Sequence, residues 1–122
     1  MESKKMKHSN DSLPIAVIGA GPVGLAAAAN LVERGLQPLI LEAGTRVAAS
    51  MWDWGHVRLF TPWSFLVDPA SRRLLEAHSD WQAPKEDYVP YAKDLVTELL
   101  DPLAELDVMA PHIKLEHTVV SV

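Results

Sequence analysis

Three glycines placed between two apolar runs constrain the fold of this chain more than any other feature. Residues 15–42, IAVIGAGPVGLAAAANLVERGLQPLILE, read as strand, tight turn, helix and strand, with Glu42 at the end. Gly19 lets the main chain turn tightly, and Gly21 has no Cβ to keep a pyrophosphate away from the main chain. Gly24 lets the helix pack closely on the strand. This order predicts a βαβ unit whose turn cradles a pyrophosphate and whose terminal acid meets a ribose.

The candidate cofactor-binding residues surround this turn and the end of the second strand. The helix N-terminus offers unpaired N–H groups and a positive dipole end to phosphates, and a proline suits its first turn. Glu42 follows Gly21 at close to the spacing of roughly 20 residues that ribose-binding acids show. Its carboxylate argues against NADP as the ligand of this turn. The predicted contact residues are Gly19, Ala20, Gly21, Pro22, Val23, Gly24, Glu42 and Ala43.

The glycine segment also resembles a known fingerprint. The run GAGPVGLAAAANLVERG places Gly19, Gly21, Gly24, Ala28 and Gly35 on the fixed positions of the pattern GxGxxG-x3-A-x6-G. This pattern resembles that of the two-dinucleotide-binding-domain flavoproteins. In those proteins the first such turn, near the N-terminus, holds FAD and a later one holds NADPH. The resemblance therefore implies FAD at this turn, with NADPH or NADH used by the full-length protein.

A second, less specific resemblance covers residues 52–68, WDWGHVRLFTPWSFLVD, and the arginine-containing helix that follows. This stretch is similar to a branch of the FAD-dependent oxidoreductases related to flavin-containing monooxygenases. The resemblance implies the FAD-binding N-terminal portion of an NAD(P)H-dependent monooxygenase acting on an unknown small molecule. The chain departs from the monooxygenase pattern where Ala48 and Ala49 replace a Gly-Gly pair, because alanine adopts positive φ less freely than glycine.

The rest of the chain predicts an α/β, Rossmann-like architecture with parallel strands, a helical insertion and an incomplete sheet. Two near-continuous apolar runs favour strands buried on both faces, and Val23, Ala27 and Leu31 mark a helical stripe. Aspartate before proline at 68–69 predicts a capped helix. The predicted elements are strands 13–18 and 37–42, helix 22–34, a long loop 43–66, helix 69–78, a connector 79–89, helix 91–106 disturbed at Pro102, and strand 113–122.

The predicted organisation is a disordered tail over residues 1–12 and one truncated FAD/NAD(P)-binding domain over residues 13–122. A chain of 122 residues is short of the roughly 250 to 300 that a complete fold of this type uses. The resemblance implies that strand 113–122 lies beside the second strand, with the backbone near Val119 and Val120 facing the adenine. Strands that would cover the first strand are missing, so we expect an exposed edge. We therefore predict a fragment, or a truncated gene product, that is inactive alone.

Other residues are weaker candidates. Arg46, His56 and Arg58 are candidates for contacts with the pyrophosphate or the flavin, because a cation forms charge-assisted hydrogen bonds with a diphosphate. Of the three, Arg46 is included among the predicted cofactor-binding residues. The aromatic residues crowded between 52 and 81 are interpreted as hydrophobic filling of the loop rather than as a wall beside the flavin. The five histidines show no ligand spacing, which predicts no metal site. The sequence assigns no catalytic residue.

Composition argues against several functional classes of protein. A formal charge of −5 offers nothing to attract nucleic acid. No uncharged apolar run approaches the ~18 residues of a membrane span, and no leader is visible, so a cytoplasmic location is expected. Absence of cysteine argues against disulfide reductases of the glutathione reductase type, whose redox pair follows the ribose acid. The thioredoxin reductase type stays open, because its CxxC lies in the later nicotinamide domain.

Two alternatives to the monooxygenase hypothesis stay open. The first is a truncated, non-catalytic module that binds ADP-containing ligands weakly or not at all. The second is a fragment of an NAD-only dehydrogenase, which a continuation lacking a second glycine-rich turn would favour.

Overall fold

A computed structural model describes residues 13–120. The predicted tail 1–12 and the last two residues of the predicted strand 113–122 lie outside the described residues. Within the described part of the chain, no helix is long and apolar enough to cross a membrane.

The predicted βαβ unit is present with nearly the predicted boundaries. Strand β1 spans Ile15–Ile18, helix α1 spans Pro22–Glu33, and strand β2 spans Pro38–Leu41. The two strands are parallel, in a register that pairs Ile15 with Pro38. Gly35, with φ of +75°, ends the helix in the predicted left-handed conformation.

A short third strand extends the parallel sheet, whose strand order is β1-β2-β3. Strand β3 spans Ile113–Lys114 and pairs with the side of β2 that β1 leaves free. The α/β, Rossmann-like class and the position of the third strand beside the second are therefore confirmed. Among residues 13–120, β1 has a neighbour on one side only, so the sheet is open at this edge, as predicted.

The prediction that both apolar strands are buried on both faces is wrong for β1. Ile15 is 41% exposed and Ile18 is 61% exposed, because β1 is an edge strand of the described sheet. The predicted stripe of helix α1 is wrong as well, since Val23 is 84% exposed. The side chains that α1 buries are Leu25, Ala28 and Ala29.

The strand predicted over residues 113–122 is wrong beyond Lys114. Glu116 has a φ of +58°, which lies outside the conformations of a β-strand. Its N–H donates to the carbonyl of Gly44 at 2.9 Å, so the chain turns toward the loop after β2 instead of continuing the sheet. Residues 117–120 then run without regular secondary structure.

Helix α1 packs on β1 and β2, and the insertion, defined as residues 43–112, supplies the remaining helices of the described residues. The predicted long loop 43–66 contains helix α2, Ala49–Asp53, and a 3₁₀ turn at Trp63–Phe65, so it is more ordered than the sequence indicates. Helix α3 spans Pro69–His78 as predicted, and its Asp68 cap accepts a hydrogen bond from the Ser71 N–H at 3.0 Å.

The predicted helix 91–106 is confirmed as three consecutive helical segments. They are α4 at Ala92–Leu95, a π-helical turn at Val96–Leu100 and α5 at Asp101–Glu105. Pro102 has no N–H, so the carbonyl of Glu98, four residues earlier, lacks its helical donor. The indole N–H of Trp81 donates to this carbonyl at 2.6 Å.

One hydrophobic core lies between the sheet, α1, α3 and the α4–α5 segment. Helix α1 packs on α3, and α3 packs on α5. Trp63 is 1% exposed, which confirms the interpretation of this tryptophan as filling. The core includes Leu25, Ala28, Ile40, Trp63, Leu74, Leu75, Leu99, Leu100, Leu103 and Met109.

Candidate functional site: a dinucleotide crevice

The glycine turn joins β1 to α1 in the conformation that its residues predict. Gly19 has a φ of +92°, a region that disfavours any side chain with a Cβ. A Cβ at Gly24 would overlap the carbonyl oxygen of Gly19, so only glycine lets the helix approach the strand this closely. Backbone geometry therefore accounts for two of the three glycines without any ligand.

The third glycine borders an open crevice. A Cβ built at Gly21 meets no atom within 4 Å, and Gly21 has a negative φ that any residue adopts. The fold itself therefore gives no reason to exclude a side chain here, whereas a ligand lying on the main chain does. The crevice has a volume of about 270 Å³ and is lined by Gly19, Gly21, Pro22, Glu42, Ala48, Ala49, Ser50, Met51 and Trp54.

The N-terminus of α1 opens onto this crevice with its donors available. Gly21 is the N-cap and has no side chain to accept the N–H groups of the first turn, and Pro22 follows at the first helical position. A 12-residue helix directs the positive end of its dipole to the same place. Bare N–H groups and a dipole of this sign suit the oxygens of a phosphate.

Two backbone donors fix the Glu42 carboxylate at the opposite side of the crevice. Its Oε1 accepts the Ala20 N–H and its Oε2 accepts the Gly44 N–H, each at 2.8 Å. Such charge-assisted bonds are stronger than neutral ones. Each carboxylate oxygen has a further lone pair, so the group can also accept hydroxyl donors such as those of a ribose.

The far wall of the crevice comes from the insertion. Ala48 is 2% exposed and has a φ of +53°, so it takes the left-handed conformation at the position where the resembled pattern has glycine. Its N–H donates to the carbonyl of Ala20 at 2.8 Å, and helix α2 starts at the next residue. Ala49, Ser50 and Met51 of this helix then face the glycine turn across the crevice.

The structure brings some of the predicted contact residues together and leaves others apart. Gly19, Gly21, Pro22 and Glu42 line the crevice, and Ala20 and Gly24 lie directly beside it in the turn. The remaining five candidates, which include Arg46, do not line it. Val23 is 84% exposed, Val120 is 91% exposed, Ala43 is exposed and Val119 is half-buried. Their cofactor contacts stay predictions.

Arg46 has protein partners in this structure. Its guanidinium donates to both carboxylate oxygens of Asp101, at 2.8 and 2.9 Å, and its Cζ lies 4.2 Å from the centre of the Trp52 ring. It borders a second cavity of about 300 Å³ instead of the crevice. The predicted contact of Arg46 with a pyrophosphate stays untested.

Sequence reasoning missed most of the far wall. Trp54 lines the crevice, although the aromatic residues of this region were interpreted as loop filling. Ser50 and Met51 carry no motif that marks them. The one available signal was the pair Ala48–Ala49 at the place of a Gly-Gly pair, since small residues there indicate a close approach. His56 is exposed, and Arg58 stacks on Tyr91 at 5.7 Å from its ring centre.

One tyrosine in the connector has a strongly shifted pKa. The phenol of Tyr88 donates to Oδ2 of Asp94 at 2.6 Å, and this hydrogen bond raises the pKa of Tyr88 to about 12. Asp94 also accepts the Tyr91 N–H at 3.0 Å, where helix α4 begins. The protonated phenol therefore helps to attach the connector to helix α4.

Several solved structures are similar to this chain. A steroid monooxygenase bound to NADP matches with a TM-score of 0.62 at 20% identity, over 84% of this chain and 19% of that chain. The monooxygenase OTEMO in complex with FAD and NADP matches with a TM-score of 0.64 at 20% identity, over 91% and 20%. The bacillithiol disulfide reductase of Staphylococcus aureus matches with a TM-score of 0.61 at 21% identity, over 90% and 30%.

These similarities establish the fold, and the chain spans only a fifth to a third of the length of the structures that it matches. No curated protein sequence matches the chain. The model of one protein family, described as FAD dependent oxidoreductase, matches residues 14–118. The match includes the glycine turn, the Glu42 carboxylate and the far wall of the crevice, and the chain belongs to the family of FAD-dependent oxidoreductases.

Proposed function

We propose that this chain is the FAD-binding N-terminal portion of an NAD(P)H-dependent flavin oxidoreductase of the monooxygenase type. The observation that carries the proposal is the open crevice at Gly21, where the main chain is bare and no atom fills the space of a side chain. Family membership supports FAD as the cofactor. The monooxygenases among the similar structures support the reaction type.

The crevice residues divide the recognition of the ADP half of FAD between them. The N–H groups at the start of α1 hold the diphosphate, and Gly21 keeps the path to them open. Glu42 accepts hydrogen bonds from the ribose hydroxyls, because its two backbone bonds to Ala20 and Gly44 orient both oxygens. Helix α2 closes the far side and excludes water from the diphosphate.

The cofactor supplies the redox chemistry when it is bound, accepting a hydride from NADPH or NADH and passing electrons to O₂ or another acceptor. The residues described here bind and orient it, and none of them is proposed as a catalytic residue. The nicotinamide site and the substrate site are proposed to lie in the part of a longer protein that this chain does not include. A cytoplasmic location stays a prediction.

The exposed edge of β1 supports the proposed domain organisation. Ile15, Ile18 and Val23 are large apolar side chains that β1 and α1 leave in solvent. Strands of a longer protein placed beside β1 would pair its free edge and cover these side chains. We therefore propose that residues 13–122 are the N-terminal part of one dinucleotide-binding domain.

Titration of the purified chain with FAD, monitored by the visible absorbance of the flavin and by competition with ADP, tests the proposal. We expect saturable binding that the substitution Gly21→Val abolishes, because the valine side chain occupies the crevice. Thermal unfolding of Gly21→Val should match that of the unmodified chain, since the built Cβ meets no protein atom. Absence of FAD and ADP binding, or binding that survives Gly21→Val, would contradict the proposal.

The non-catalytic module is the second candidate, and the short span relative to the similar structures favours it. It shares the crevice but transfers no electrons. Both candidates predict that the isolated FAD-loaded chain does not oxidise NADPH, because neither places the nicotinamide site in this chain. Oxidation of NADPH by a longer product of the gene then decides whether the parent protein is an oxidoreductase.

A further inference from the structure

We propose that Arg46 is a positioning residue for the dinucleotide crevice, which it maintains by fixing helix α2 through Trp52 and Asp101 without contacting the diphosphate. The proposal rests on the function proposed above and adds how the far wall is held. It assigns to Arg46 a role different from the phosphate contact that the sequence suggests.

The guanidinium of Arg46 is engaged on two sides. One nitrogen donates to both oxygens of Asp101, which belongs to helix α5, and the planar group stacks over the ring of Trp52, which belongs to helix α2. Its Nε also donates to the carbonyl of Val47 at 3.1 Å. Arg46 therefore joins the loop after β2, the crevice helix and the α5 helix at one point.

Arg46 adds a side-chain link to the other attachments of helix α2, which contacts α4 and is followed by Gly55, whose carbonyl accepts the Lys93 N–H at 3.0 Å. Helix α2 is five residues long, buries none of its side chains fully, and follows an N-cap, Ala48, in a left-handed conformation that residues other than glycine adopt only at a cost. Its first end is held by the hydrogen bond from Ala48 to Ala20. The stack of Arg46 on Trp52 holds its opposite end.

The two faces of α2 separate positioning from binding. Ala49, Ser50 and Met51 line the crevice, whereas Trp52 does not and receives Arg46. The ion pair is partly shielded, since the side chains of Arg46 and Asp101 are 33% and 27% exposed. Water and salt screen the attraction within a partly shielded ion pair less than within a fully exposed one.

The substitution Asp101→Asn distinguishes positioning from ligation because the two roles predict opposite results. A positioning Arg46 loses its charged anchor, so the affinity of the chain for ADP should fall about fivefold, as for a partly buried pair. A phosphate-binding Arg46 is released from a competing carboxylate, so the affinity should stay the same or rise. Calorimetric titration with ADP measures the difference.

The substitution Arg46→Lys provides a second, independent readout. A phosphate contact tolerates lysine because the charge is kept, whereas stacking on Trp52 while separate nitrogens bond Asp101 and the Val47 carbonyl needs the planar guanidinium. We expect Arg46→Lys to weaken ADP binding as much as Arg46→Gln does. Because the two residues act through one contact, Arg46→Gln combined with Asp101→Asn should cost at most about tenfold, well below the product of the single losses.

Arg73→Gln is the matched control. Arg73 makes a similar two-bond contact to Glu33, at 2.7 and 2.8 Å, between α1 and α3 and outside the crevice. This variant should bind ADP as the unmodified chain does. Three results would overturn the positioning role of Arg46. They are unchanged or tighter ADP binding by Asp101→Asn, unchanged ADP affinity in Arg46→Lys, and a loss of ADP affinity in Arg73→Gln equal to that in Arg46→Gln. Failure of the unmodified chain to bind ADP would instead contradict the proposed function.

Discussion

The βαβ unit and the insertion build opposite sides of one crevice by different means. In the βαβ unit, the turn, the helix start and the acid come from one stretch of 28 residues, and backbone geometry fixes each of them. In the insertion, the contacts that hold the wall join distant positions, such as Ala48 with Ala20 and Arg46 with Asp101. The difference shows that a local motif specifies the glycine-turn side of the crevice, whereas tertiary contacts specify the far wall.

The largest effect should come from the βαβ unit, at Gly24. Substitution Gly24→Ala places a Cβ on the carbonyl oxygen of Gly19, and neither backbone segment has room to move. We expect a loss of about 3 kcal/mol in the free energy of unfolding, at the upper end of overpacking costs. Urea denaturation measures it.

Gly21→Ala is the control for this substitution, because its Cβ meets open space. It should change the free energy of unfolding by less than about 1 kcal/mol. Equal losses in the two variants would show that close packing of helix on strand does not explain Gly24.

The next largest effect concerns the carboxylate that links the two regions. Glu42→Gln replaces one acceptor by an NH₂ group facing either the Ala20 or the Gly44 N–H, so one backbone donor loses its partner. We expect a loss of about 2 kcal/mol in stability, together with weaker ADP binding. Chemical denaturation and calorimetric titration give the two values.

Glu33→Gln removes a carboxylate from the exposed pair with Arg73 and serves as the comparison. This variant should lose clearly less stability than Glu42→Gln, and its ADP binding should be unchanged. If Glu33→Gln proved as harmful as Glu42→Gln, the special role of the backbone-anchored acid would be contradicted.

A smaller effect is expected within the insertion. Trp81→Phe keeps the aromatic bulk but leaves the Glu98 carbonyl without its indole donor, which should cost roughly 1 kcal/mol of stability. Adding Pro102→Ala supplies a backbone N–H four residues after Glu98 and should restore part of the loss. Thermal or urea unfolding of the single and double variants measures it, and a double variant less stable than Trp81→Phe would refute this account.

The smallest effect on stability should come from the ionisation of Tyr88, and we expect it only at alkaline pH. The folded pKa of about 12 lies above the ordinary value of 10.0 because the phenol donates to Asp94. The hydrogen bond therefore stabilises the fold fully below pH 10, and its contribution is lost as the pH rises from 10 to 12.

Ultraviolet titration of the tyrosinate in a Tyr91→Phe background reports Tyr88 alone, since the chain has two tyrosines. Denaturation of Tyr88→Phe should show a flatter dependence on pH over the same interval. A Tyr88 that titrates near pH 10 in the folded chain would contradict the assignment.

The sequence predicts the βαβ unit well because the information is local. Glycine spacing, the strand patterns and Glu42 all fall within a few turns of one another, and each constrains backbone geometry directly. Helix α3 was equally predictable, since its Asp68 cap and Pro69 are local signals. The carboxylate of Glu42 was expected to meet a ribose, but its bond to Gly44 depends on a loop that carries no pattern.

The errors have a common physical origin in contacts that local patterns do not encode. The strand predicted to 122 ends at Lys114 because Glu116 turns toward Gly44, which no alternation of side chains reveals. The partner of Arg46 is 55 residues away, so its type suggested a phosphate. Burial of β1 was overestimated because the number of neighbouring strands is a property of the whole sheet.

The left-handed conformation of Ala48 limits which sequences can encode this crevice. Side chains branched at Cβ are nearly excluded from that conformation, and a longer side chain at a site 2% exposed would push α2 away from the glycine turn. Only glycine, alanine and small polar types such as asparagine satisfy both demands. A saturation library should therefore tolerate very few residues at 48, and homologous chains that keep the crevice should show the same narrow choice.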